Sequence, residues 1–118
     1  MINDIELDLV SLEVAELLAL NGFAVECDSY YENGQLNYFH SKENFNDANE
    51  WRRCTSAPSQ AIAIKWIKLN FEIDICVHKF NGYYAYRLNE DTDFELHKEI
   101  ENAINKGLCC ALEERLEK

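Results

Sequence analysis

The dipeptide Asn81-Gly82 constrains this chain more than any other feature, because it stands between two runs that alternate with a period of two. Residues 73–80 read Ile-Asp-Ile-Cys-Val-His-Lys-Phe, and Tyr83 opens a return run to Leu88. Asn-Gly tolerates positive φ at both positions, so it suits the two-residue turn of a β-hairpin. That turn sets Val77 opposite Tyr86 and Ile75 opposite Leu88. Ile73, Ile75, Val77, Tyr84, Tyr86 and Leu88 then share one face, and both strands give this answer independently. The other face, with Asp74, Cys76, His78, Phe80, Tyr83, Ala85 and Arg87, is mixed. Arg87 lies diagonal to Asp74, which suggests a cross-strand ion pair.

A second Asn-Gly, at 33–34, predicts another hairpin over residues 25–39. Its register stays open, because Glu32-Asn33-Gly34 equally suits a three-residue loop with a bulge. Three helical patterns surround these hairpins. The first begins at the N-cap Ser11, carries Leu12, Ala15, Leu18 and Ala19 on one face widened by Val14 and Leu17, and ends at Asn21-Gly22. Phe23 can then fold back onto Leu18 as a Schellman cap allows. The second opens at Ala57-Pro58, capped by Ser56 or Ala57. Its apolar residues Ile62, Ala63, Ile64, Trp66, Ile67, Leu69 and Phe71 cover most of the circumference, which predicts burial on several sides at the centre of the core.

The third helix is expected from a capping box at Thr92-Asp-Phe-Glu95 to about Leu116, with the stripe Leu96, Ile100, Ala103, Ile104, Leu108, Ala111 and Leu112. Gly107 interrupts that stripe at a cost of ~1 kcal/mol against Ala, which implies a close approach to a neighbouring element. Residues 40–57 show no apolar period and read as a long polar loop in which Phe45 and Trp51 pack. The expectation is one α+β domain over residues 1–118, with antiparallel β-hairpins packed against three helices in the order α-β-β-loop-α-β-β-α.

The 118 residues suffice to bury a core without staples. No run of ~18 apolar residues and no leader in residues 1–10 points to a membrane span or signal peptide. The formal charge is −11, with 22 acidic and 11 basic residues. Such a field repels phosphate backbones and anionic lipid, so membrane and direct nucleic-acid binding are disfavoured, while a basic partner surface fits. The five cysteines, Cys27, Cys54, Cys76, Cys109 and Cys110, are odd in number and lack C-x-x-C or Cys/His ligand spacing. Free thiols place the protein in a cytoplasm. Neither a metal nor another cofactor is implied.

The run Ser56-Ala-Pro-Ser-Gln-Ala-Ile-Ala-Ile-Lys-Trp-Ile67 fits the pattern P-[ST]-Q-A-x-A-x-[KR]-W-[LI], and Glu101-Asn-Ala-Ile-Asn-Lys-Gly-Leu-Cys-Cys-Ala-Leu112 fits E-x-A-x-x-x-G-L-x-x-A-L. Together with the Asn21-Gly-Phe23 helix end and the Cys27-Asp and Tyr30-Tyr31 strand, these motifs resemble small uncharacterised proteins carried by phages and prophages of gut Bacteroidetes. The resemblance spans most of the chain outside residues 40–57, and residues 89–94 depart from it by lacking a Thr-Tyr before the last helix. It implies shared core and caps and a phage association, with no activity attached.

Asp74, Cys76 and His78 share one strand face, which invites a nucleophile-base reading. Same-face neighbours lie ~6.5–7 Å apart at Cα, beyond the reach that a nucleophile and its base require, so a mixed sheet face is the simpler account. Trp51, Arg52 and Arg53 are the candidate binding residues, able to hold a phosphate or stack on a base; their alternative is pairing with carboxylates inside the fold. Tyr83, with the outward members of Tyr30, Tyr31, Tyr38, Tyr84 and Tyr86, suits a protein contact, because Tyr gives large contact area at low entropic cost. His40 and His97 are expected at the surface. The leading expectation is a non-enzymatic protein-interaction module that binds a host factor, self-association remaining open. The alternatives are a small-molecule or nucleotide binder using residues 40–57, and an acidic mimic of nucleic acid.

Overall fold

Ser11 caps the first helix through its hydroxyl, which accepts a hydrogen bond from the Val14 N–H at 3.3 Å. Helix α1 runs Leu12–Leu20 and buries Val14, Ala15 and Leu18. Its C-terminus is a Schellman motif: Phe23 N–H donates to Leu18 O, and Gly22 N–H to Ala19 O, with Gly22 at φ +90°. Phe23 is thereby buried beside Leu18. The computed structural model describes residues 9–89, 91–92 and 96–116. The chain forms two compact units, Met1–Ser59 and Gln60–Lys118. Among the described residues, three helices and two antiparallel sheets make an α+β fold.

In the first unit, strands β1 (Cys27–Glu32) and β2 (Gln35–Glu43) form the hairpin expected at Asn33-Gly34. Glu32 pairs with Gln35, so the loop has two residues, and both take positive φ as a type I′ turn requires. Val25 lies exposed outside the strand, which starts two residues later than expected. The register holds to Ser29 opposite Tyr38 and then jumps to Cys27 opposite Glu43, leaving Phe39, His40, Ser41 and Lys42 bulged against Asp28. Strand β3 (Cys54–Ser56) pairs with the other edge of β1, giving the order β2-β1-β3, and α1 lies against β3.

The expected loop over residues 40–57 therefore shrinks to 44–53. Its polar composition misled for two reasons. The end of β2 is an exposed edge that needs no apolar alternation, and the Asn and Asp residues make turns. Asn44 Oδ1 accepts from Asn46 N–H, and Asp47 Oδ1 accepts from Asn49 N–H.

The second unit opens with helix α2 (Gln60–Phe71). The expected start at Ala57-Pro58 is corrected, because that backbone is committed elsewhere. Ser56 lies in β3, Pro58 O accepts from Val10 N–H, and Ser59 bridges Leu9. The expected all-round burial is corrected too. Only Gln60, Ala63 and Ile67 are buried, a single stripe at helical spacing, while Ile62 is 42% and Leu69 72% exposed.

Strands β4 (Ile75–Phe80) and β5 (Tyr83–Leu88) pair as expected, with Val77 opposite Tyr86 and Ile75 opposite Leu88. Asn81 and Gly82 both have positive φ. Arg87 sits across from Cys76, and the Asp74 carboxylate pairs with Lys68 at 2.9 Å instead of with Arg87. A short β6 (Asp91–Thr92) joins the free side of β5. Thr92 is thus a strand residue facing Arg87; the rest of the expected capping box lies at 93–95, outside the described residues. Helix α3 begins only at Ile100 and runs to Leu116. Leu96 precedes it and is exposed, because the backbone at His97 is drawn into a bridge with Tyr84. Ala103, Leu108, Ala111 and Leu112 form the buried stripe of α3, which lies across β4 and β5 and along α2. No helix among the described residues is long and apolar enough to cross a membrane.

Candidate functional site

The candidate residues Trp51, Arg52 and Arg53 occupy the turn that leads into β3. Its framework is a set of hydrogen bonds around two buried residues. Phe45 N–H donates to Ser56 Oγ at 3.0 Å, Ser56 N–H to Asn46 Oδ1 at 2.9 Å, and Asn46 Nδ2 to Phe23 O at 2.8 Å. One amide side chain thus ties the chain after β2 both to β3 and to the segment that follows α1. Phe45, fully buried, is the hub of an aromatic cluster. It stacks on Tyr30 with centroids 4.6 Å apart and meets Trp51 and Phe39 edge-on at 4.7 and 5.9 Å. Phe39 meets Trp51 at 5.0 Å and His40 at 4.1 Å.

Trp51 thus packs against Tyr30, Phe39 and Phe45, and its Nε1 is buried without a hydrogen-bond partner among the described residues. Arg52 and Arg53 are exposed, Arg53 in the left-handed region at φ +63°. Neither pairs with a described carboxylate. Tyr83 belongs to the second unit, where it flanks the β4–β5 turn opposite Phe80. The four candidate residues are thus three neighbours and a tyrosine of the other unit.

Asp74, Cys76 and His78 form no hydrogen bonds with one another; Cys76 is exposed, His78 half-buried, and Asp74 is engaged by Lys68 and Asn89. His40 is at the surface as expected. His97 is not: its backbone bonds to Tyr84 in both directions and its Nε2 is buried.

The tyrosines separate cleanly. Tyr31 donates its hydroxyl hydrogen to Val10 O at 2.8 Å, burial raises its pKa, and Tyr86 Oη lies 3.1 Å from Cys110 Sγ. Tyr30 joins the aromatic cluster. Tyr38 stands out at 66% exposed, with Leu36 exposed two residues before it on the same face of the outermost strand β2. Phe80 is 61% exposed beside exposed Tyr83. The sequence offers Tyr38 only as one of six tyrosines, without saying which point outward, and gives no signal for Asn46. Alternation in β2 marks Leu36 and Tyr38 as sharing a face, but only the sheet order shows that the strand is an edge. Comparison with family models, with curated proteins and with solved structures found no match.

Proposed function

We propose that the chain is a non-enzymatic protein-interaction module of the cytoplasm, of the accessory kind by which phages engage a host factor. The observation that carries this reading is the set of large aromatic side chains left outside the core at Tyr38, Phe80 and Tyr83. Aromatic groups left exposed at sheet edges and hairpin turns suit protein contact, because they offer large contact area at low entropic cost. The net charge of −11 favours a basic partner. Free cysteines at all five positions agree with a reducing compartment. Affinity capture from host lysate at low and at moderate salt tests the reading. A partner retained at both salts supports it, and its absence at both would remove it.

A second reading, a nucleotide or other small anionic ligand held at Trp51, Arg52 and Arg53, is favoured by the two arginines that meet no described carboxylate. A ligand-dependent rise in melting temperature, lost in Arg52→Ala with Arg53→Ala, is its expected signature.

A further inference from the structure

We infer that the edge of β2 at residues 35–38, unpaired among the described residues, is a docking strand for a short extended segment of a partner, in which basic and apolar residues alternate. The inference rests on the interaction reading and names the surface and the chemistry. The direction of the main chain comes first. Ser29 O accepts a hydrogen bond from Ala57 N–H at 3.0 Å, so the backbone of Ser29 faces β3. Its partner across the hairpin, Tyr38, therefore sits at a non-bonded position of the β1–β2 ladder. The turn gives the same phase: the type I′ bond makes Glu32 and Gln35 the bonded pair, and alternation makes Leu36 and Tyr38 non-bonded. Leu36 and Tyr38 thus aim their N–H and C=O groups at the open side of an outermost strand. They are also the residues with exposed apolar side chains.

Such an edge is a template for another strand, and proteins usually guard it. Among the described residues the other edges are shorter or carry a charge. β3 has three residues and β6 two, and by the same alternation β4 places Lys79 at an outward-facing position. In β2 the bulge at residues 39–42 ends the regular edge beyond Tyr38, so the open stretch is short and defined. Charge selects the occupant. Residues 1–59 hold eleven acidic and three basic side chains, a formal charge of −8, whereas residues 60–118 hold eleven and eight, a charge of −3. The field around β2 therefore disfavours a second copy of the same strand and favours cations. Apolar residues of the added strand would lie beside Leu36 and Tyr38. Its basic residues would then project to the other face, which carries exposed Glu32.

The test uses the full chain, isotopically labelled, titrated with a synthetic octapeptide of alternating lysine and valine. Saturable binding with amide shifts centred on Leu36 and Tyr38 is expected. Two further peptides carry N-methyl groups on the lysine amides or on the valine amides, with charge unchanged. Strand pairing uses one edge of the peptide, so one of the two should bind at least about tenfold more weakly and the other like the parent. Equal behaviour of the two, shifts centred elsewhere, or no binding of the parent peptide would overturn the proposal. Tyr38→Pro removes an outward N–H at an edge, where proline is tolerated, and should abolish peptide binding with the melting temperature retained. A host partner captured equally by Tyr38→Pro would leave the interaction reading standing and overturn the edge. Peptide binding of the expected pattern without any captured partner would do the reverse.

Discussion

Gly107 of α3 lies directly on Tyr86 of β5: a Cβ at Gly107 would stand 3.3 Å from Tyr86 Cβ and Cδ2, and 3.2 Å from Ile75 Cγ2. Tyr86 is buried and its hydroxyl lies 3.1 Å from Cys110 Sγ, so the ring is held at both ends. Gly107→Ala gains about 1 kcal/mol of helix propensity and loses about 1–3 kcal/mol to overpacking. Because Tyr86 cannot swing aside, overpacking wins, and a net loss of about 1 kcal/mol is expected in urea denaturation. A variant more stable than the parent would show that α3 shifts freely on the sheet.

Ser56→Ala tests the framework under the aromatic cluster. Ser56 is fully buried, and its hydroxyl is the acceptor for the Phe45 N–H. Alanine leaves that buried donor orphaned, at a cost of about 1–3 kcal/mol. The near-ultraviolet dichroism of the Tyr30–Phe45–Trp51 group should weaken in the same variant. Unchanged stability would mean that water replaces the hydroxyl.

Much of the fold is legible in the sequence because turns and caps are local. Asn33-Gly34, Asn81-Gly82, Ser11 and Asn21-Gly22-Phe23 each act within a few residues, and each does what its chemistry requires. The close approach at Gly107 is legible for a related reason, since glycine inside an apolar helical stripe calls for a spatial cause. What fails is whatever a distant partner decides. Pro58 looks like a helix start until Val10 takes its carbonyl, and Thr92 looks like a cap until Arg87 pairs with its backbone. The apolar circumference of α2 suggests burial, yet Ile62 and Leu69 remain outside. In the candidate site, Trp51 and Phe45 are visible as packing residues in a polar segment. The role of Tyr38 depends on strand order, and that of Asn46 on contacts with Phe23 and Ser56, which no local pattern encodes.

Asp74 allows two kinds of contact to be weighed. Its ion pair with Lys68 joins side chains that are both about half exposed, 51% and 55%, and such pairs contribute roughly 0–1 kcal/mol. Asn89 instead sits at φ +54°, accepts from Asp74 N–H at 2.9 Å through its side chain, and donates its own N–H to Asp74 O at 2.8 Å. Alanine at position 89 loses the side-chain bond and meets the left-handed penalty of about 1 kcal/mol or more. Asn89→Ala should therefore lower the denaturation midpoint clearly more than Lys68→Ala. The reverse order would show that the charge pair, and not the turn, fixes the start of β4.

Alkaline pH should loosen the first unit through Cys27. Burial pushes this thiol above its ordinary pKa of 9.0, outweighing hydrogen bonds with Ser56, Ser29 and Ala57 that act the other way. The folded chain then keeps the thiol neutral where the unfolded chain ionises it. Its contribution to stability is full below the ordinary value and is lost as pH rises through the raised one. Urea midpoints from about pH 7 to about pH 11 should fall for the parent chain and fall less steeply for Cys27→Ala. The variant's lower starting stability is irrelevant to the slope. Alkylation at neutral pH gives an independent check: exposed Cys76 should react in the native state, and Cys27 only at the rate of unfolding. Equal pH slopes for parent and variant, with rapid native-state labelling of Cys27, would mean that the strand end at Cys27 opens without unfolding.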